Sequence, residues 1–263
     1  MSLQKMRQEL ISYKTGSFLK AEFGENAFDA AEQGEMEKMK IRIGLFGFTG
    51  SGKSSFVNSV SKSLLDDNHG RAVVQSTGAE GTIILEEFFY EYKFRMIDTR
   101  GFMDLERCEE SELFRILYGQ LEDGENIVRE GEVISTNKMK KTPLCSQLHV
   151  VMWFVKSTDP RLTQQIYNAK NAFVRSHLFD LGVTIIPVVT FADCITKSRD
   201  LVKTHAMNTG DGRQQPHFIT NFLPELSTDY DESNQRAVLQ LVKKAIQLGE
   251  ESLRARQMKR FVF

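Results

Sequence analysis

Residues 46–55 read FGFTGSGKSS, directly behind the apolar run IRIGL at 41–45. Gly47, Gly52, Lys53 and Ser54 satisfy the spacing G-x-x-x-x-G-K-[S/T] between a β-rich run and the helical pattern KSSFVNSVSKSLL at 53–65. So many small residues make a poor piece of packed core. They expose backbone N–H groups, which is what wrapping a phosphate chain at close range requires. Gly47, Thr49, Gly50, Ser51, Gly52, Lys53, Ser54 and Ser55 are therefore candidate phosphate contacts. Lys53 is expected to reach the β- and γ-phosphates and Ser54 to ligate Mg²⁺. The start of the helix adds its positive partial charge. A glycine turn before a capped helix would also explain the loop, but the strand before it and the helix behind it favour phosphate.

From residue 40 onward, β-rich runs alternate with helical patterns. TIILEEFFYEY (82–92) and YKFRMIDT (92–99) have almost no connector, so they are expected to pair antiparallel. LHVVMWFV (148–155) and VTIIPVVT (183–190) lack polar alternation, as strands buried on both faces of a mostly parallel sheet do. HFIT (217–220) reads as a last short strand. Helices are expected over 111–121, 162–179 and 234–258, the last with Val238, Leu241, Val242, Ala245 and Leu248 on one face. This alternation predicts an α/β domain of three layers. It spans 40–263, preceded by a polar, partly helical appendage at 1–39. Two long polar segments, 66–82 and 122–146, exceed ordinary connections.

Two further strand ends refine the nucleotide reading. FRMIDTRGF places Asp98 at the end of a hydrophobic strand, with Gly101 completing D-x-x-G. Such an aspartate holds Mg²⁺ through water, and the glycine N–H senses the γ-phosphate. A threonine between the two motifs is expected to complete the Mg²⁺ site. Thr82, just before the hairpin strand, suits this better than Thr77 in mid-loop. VTIIPVVTFADC places Thr190 and Asp193 as in the guanine-reading pattern [N/T]KxD, with Phe191 in place of the lysine. A buried carboxylate pairs with the N1 and N2 donors of guanine and is left unpaired by adenine. Asn221 is a further candidate on the base side.

Catalysis is less well provided for. Lys53, Thr82, Gly101 and Arg100 are the candidate catalytic groups, but the position after Gly101 is Phe102, which cannot orient water by a hydrogen bond. Slow hydrolysis is expected unless Arg100, Thr49, Ser51 or a partner supplies the missing group.

A formal net charge of −1 gives no support for a nucleic-acid or anionic-membrane binder. No apolar run is long enough for a transmembrane segment. Cys108, Cys145 and Cys194 show no metal or disulfide spacing and read as reduced, semi-buried thiols of a cytoplasmic protein.

With these motifs in this order, the chain resembles the Ras-like and dynamin-like GTPases. GSGKSSFVNSV, IILEEFFYEY, IDTRGF and HFITNF look most like the interferon-induced protein 44 family. The resemblance covers 40–225 and implies a six-stranded, mostly parallel sheet with one antiparallel strand, helices on both faces, and a link to innate immunity. The reading is a Mg²⁺-dependent GTPase switch with GTP/GDP as ligand, a protein effector, and activation by a partner or by a homodimer through the nucleotide face. A nucleotide-binding scaffold without hydrolysis and an ATP-dependent P-loop enzyme are the alternatives.

Overall fold

The computed structural model describes residues 1–24, 30–73, 84–99, 101, 107–125, 142–160, 176–195, 199–208, 214–224 and 230–258. Helices α1 (Leu3–Ile11), α2 (Ser17–Phe23) and α3 (Ala30–Lys38) precede strand β1 (Ile41–Gly47). Then come α4 (Lys53–Leu65), β2 (Glu86–Phe88), β3 (Phe94–Asp98), α5 (Arg107–Leu117) and β4 (Val150–Lys156). The chain continues through β5 (Thr184–Thr190), α6 (Arg199–Met207), β6 (His217–Phe218) and the long α7 (Glu232–Met258).

The strands form one six-stranded sheet in the order β2-β3-β1-β4-β5-β6. Only β2 runs antiparallel, against β3. β1 is fully buried and flanked on both sides, which explains its uninterrupted apolar run. One apolar cluster joins α1, α4 and α7 to one face of the sheet, through residues such as Leu10, Val57 and Leu241. A second gathers Phe46, Ile97 and Trp153 with Leu113 and Phe114 of α5 on the other face. The expected three-layer α/β architecture is thus present.

All the positions foreseen as the apolar stripe of α7 are buried. The helix crosses β1 closely: a β-carbon at Gly249 would lie 2.5 Å from Ile41 Cγ2. The N-terminal segment shares this core through Met6, Leu10, Tyr13, Leu19 and Met36. It is pinned there by Glu250, fully buried on α7, which accepts hydrogen bonds from Tyr13 Oη (2.6 Å), Gly16 N (2.6 Å) and Leu19 N (2.9 Å). A bond to a charged acceptor contributes about 1.5–3 kcal/mol. Tyr13→Phe is therefore expected to lower unfolding stability by about that amount, read as a shift in urea midpoint at unchanged m value.

The sheet differs from expectation at its edge. The run at 82–92 yields only β2, because Phe89 adopts a left-handed φ of 62° and turns the chain toward β3. Residues 82 and 83 lie outside the described residues. The exposed side of β2 is covered by the start of the long segment at 122–146. Leu85 N donates to Glu125 O, Gly124 N to Leu85 O, and Glu87 N to Asp123 Oδ1. Helices α2 and α6 are short and were not legible as periodic patterns. Cys145 and Cys194 are exposed rather than semi-buried. No helix is long and apolar enough to cross a membrane among the described residues.

The carboxyl ends of β1, β3, β4 and β5 bring Gly47, Asp98, Lys156 and Thr190 to one edge of the sheet. β1 passes to β3 on one side and to β4 on the other, so the crevice above it is the topological switch point where open α/β sheets take ligands.

Candidate active site

The loop between β1 and α4 occupies this crevice. Gly47, Gly50 and Gly52 have φ of 148°, 75° and 89°. At Gly47 a β-carbon would also lie 2.4 Å from the carbonyl oxygen of Phe154 on β4, so the loop leaves the sheet where only glycine fits. Gly52 stands at the N-cap of α4 without a side-chain cap. The first N–H groups of α4 therefore lack a capping side chain of the kind that would compete with an anion.

Lys53 is buried, and among the described residues its Nζ has only the carbonyl oxygens of Gly47 (3.3 Å) and Phe48 (3.4 Å) within hydrogen-bonding reach. Burial lowers its pKa to about 8, against the opposing pull of Asp98. The Asp98 carboxyl is pushed up to about 6 by burial, in spite of Lys53 and the hydroxyl of Ser54. Ser54 Oγ donates to Asp98 Oδ2 at 2.5 Å, while the buried Asp98 Oδ1 has no hydrogen-bond partner among the described residues. Ser51 Oγ is likewise buried without one among those residues. A cation and an anion this poorly satisfied are costly to bury in a free chain.

Gly101 lies against the loop: a β-carbon there would be 2.5 Å from Thr49 Cα, and Thr49 Oγ1 donates to Gly101 O at 3.1 Å. The DxxG turn is thus seated on the middle of the phosphate loop. The start of the segment at 66–82 is tied to α4 through Asn58, whose Oδ1 accepts from Arg71 N and Ala72 N.

On the other flank, Thr190 and Asn221 hold the loop. Thr190 is fully buried and donates from Oγ1 to Ser51 O at 2.8 Å. Asn221 Nδ2 donates to Gly52 O at 2.9 Å, and its Oδ1 accepts from Ser59 Oγ on α4 at 3.3 Å. Asp193 is exposed, with Thr220 Oγ1 donating to its Oδ1 at 3.3 Å. The ends of β5 and β6 therefore meet around one carboxylate.

Across residues 37–253 the chain matches the family model described as Septin. The chain belongs to the septin family. Among solved structures it is similar to a septin GTPase domain from Chlamydomonas reinhardtii, with 13% identity, 86% of this chain and 100% of that chain covered, and a TM-score of 0.45. No curated protein matches the chain. The matching family model is that of septins and not of the interferon-induced protein 44 family. As a septin-type P-loop GTPase domain, the chain is of a kind that binds guanine nucleotide.

Within this septin-type domain, the structure gathers Gly47, Thr49, Gly50, Ser51, Gly52, Lys53, Ser54, Ser55, Asp98 and Gly101 around one crevice. Thr190, Asp193 and Asn221 stand on its β5–β6 side. Thr82, Arg100 and Phe102 lie outside the described residues. Thr190 Oγ1 and Asn221 Nδ2 are engaged by carbonyl oxygens of the loop, and Asn221 Oδ1 by Ser59 of α4. Thr220 was not foreseen as a site residue; its sequence signal is its place at the end of the run HFIT, two residues beyond β6.

The donor set suits Mg²⁺. Among the described residues, no cluster of His, Cys, Asp or Glu could by itself hold a metal. One hydroxyl and one carboxylate beside a phosphate cradle is the set that Mg²⁺ takes, since it keeps several waters and binds through phosphates. The unpartnered Asp98 Oδ1 supplies the needed acceptor.

Proposed function

We propose that this chain binds Mg²⁺·GTP and hydrolyses it slowly, as a switch whose turnover is raised by a partner or a second copy meeting the nucleotide face. The buried Lys53 and Asp98, joined by the half-buried Ser54, at the mouth of the loop carry this reading. Backbone N–H groups of 47–55 would cradle the phosphates, Lys53 would neutralise the β- and γ-oxygens, and Ser54 and Asp98 would hold Mg²⁺. Bound there, the ion would neutralise charge on the phosphates. Thr190 and Asn221 keep the loop in shape, and Asp193 reads guanine. Gly101 would report the γ-phosphate through its contact with Thr49, with Thr82 and Arg100 as further contributors.

Slow turnover follows from Phe102, which offers nothing to position water. The same residue favours a second reading, a nucleotide-binding scaffold without hydrolysis. Multiple-turnover phosphate release separates them. Release above blank that rises more than linearly with protein concentration is expected. A flat trace at every concentration, with GTP bound, would leave the scaffold.

The proposal places the protein in the cytoplasm, with residues 1–39 as an appendage of the GTPase domain at 40–263. The likeness of its flanking segments to the interferon-induced protein 44 family supports an immune role, tested by whether immune stimulation raises its abundance.

A further inference from the structure

The chain departs from [N/T]KxD at one position, where Phe191 replaces the lysine. Phe191 is also where the backbone is strained: its φ of 54° and ψ of 44° are left-handed, which a side chain with a β-carbon rarely adopts. The conformation is imposed by neighbours. Ser157 Oγ donates to Phe191 O at 2.7 Å, Cys194 N donates to the same oxygen at 3.0 Å, and Ala192 N donates to Ile219 O at 3.2 Å. These bonds hold the strained conformation and so fix the direction in which the Phe191 side chain leaves the strand.

A cation is nevertheless present. Lys156 ends β4 in register with Thr190 of β5, so it leaves the sheet beside residue 191. Its Nζ stands 4.7 Å from the centroid of the half-exposed Phe191 ring. The ring is therefore bracketed by Thr190, which grips the phosphate loop, and by Asp193, which offers an exposed carboxylate.

We infer that Phe191 and Lys156 together form the platform for the purine base. The aromatic ring takes the stacking role, and a lysine from the neighbouring strand supplies the charge that the motif lysine would carry. This rests on the GTP-binding reading above. A stacking ring is indifferent to which base it carries, so choice of guanine is left to Asp193. Adenine nucleotides would gain from the same ring without gaining selectivity.

The test is equilibrium titration of the full chain with Mg²⁺·GTP and, separately, with inorganic tripolyphosphate. Wild type is compared with Phe191→Leu, Phe191→Tyr and Lys156→Met, each first shown to melt as wild type does. Stacking on an aromatic side chain is worth enough that Phe191→Leu is expected to weaken GTP about tenfold or more. Lys156→Met is expected to weaken it about twofold to fivefold. Phe191→Tyr keeps a ring and should stay within about twofold. Tripolyphosphate affinity should be the same in all four proteins. If Phe191→Leu binds GTP as wild type does, or loses tripolyphosphate equally, the platform is wrong while the GTP reading stands. If wild type binds tripolyphosphate but no GTP, both fall.

Discussion

Lys53→Ala is expected to lower GTP affinity by about 10²–10⁴-fold, since two charge-assisted contacts of about 1.5–3 kcal/mol each are lost. The free protein should tolerate the change. Among the described residues Lys53 reaches only two carbonyl oxygens, at 3.3 and 3.4 Å, and its charge is penalised by burial. Removing it forfeits some packing of the stem and also removes that penalty. The clean readout is ligand-induced stabilisation. Wild type at a hundred times its Kd should gain about 2.7 kcal/mol, and the variant at the same GTP concentration close to nothing. A variant that still melts higher with GTP would show that the loop does not cradle phosphate.

Asp98→Asn is expected to abolish the Mg²⁺ dependence of binding and to slow hydrolysis by at least about a hundredfold, as loss of a group that holds the metal charge. Its effect on the free protein has the opposite sign. Burial raises the folded carboxyl from its ordinary 3.8 to about 6, so the folded state holds its proton more tightly than the unfolded chain. That contribution is complete below pH 3.8 and is lost as pH rises through about 6, about 3 kcal/mol in all. Asparagine imitates the protonated form and should remove this loss. Free wild type should thus lose stability between pH 4 and 7 relative to Asp98→Asn. Mg²⁺·GTP affinity of wild type should instead rise over that range, because the ion requires the carboxylate. Parallel pH profiles for the two proteins, measured by urea unfolding, would contradict this assignment.

These expectations trace to a part of the molecule that was readable from sequence because its information is local. The spacing of Gly47, Gly52, Lys53 and Ser54 fixes a strand, a loop and a helix over a few residues, and β1 and α4 fall where that spacing places them. Asp98 was legible for the same reason, as an acidic residue ending an apolar run. Thr190 and Asn221 were found but their bonds to the loop were not, because a polar residue at a strand end reads alike whether it faces a ligand or a carbonyl. Only the fold shows that Thr190 Oγ1 is 2.8 Å from Ser51 O and Asn221 Nδ2 is 2.9 Å from Gly52 O. The approach of Lys156 to Phe191 depends on the register of β4 with β5, which no spacing along the chain encodes. Helix α6 buries only Val202 and Ala206, too short a stripe to stand out from its polar surroundings. The GTPase superfamily was legible in the ordered motifs, whereas the septin family was not, because it rests on the match over 37–253 rather than on the short flanking segments.

The central claim is that the β1–α4 loop, Asp98 and Asp193 serve one Mg²⁺-bound guanine nucleotide. Calorimetric titration of the nucleotide-stripped chain with GTP and with ATP, each in Mg²⁺, tests it most directly. Asp193 is exposed rather than buried, so discrimination comes from the N1 and N2 donors that only guanine offers it, and one GTP bound per chain with ATP at least about tenfold weaker is the predicted result. Equal binding of the two nucleotides, or no heat from either, would contradict it.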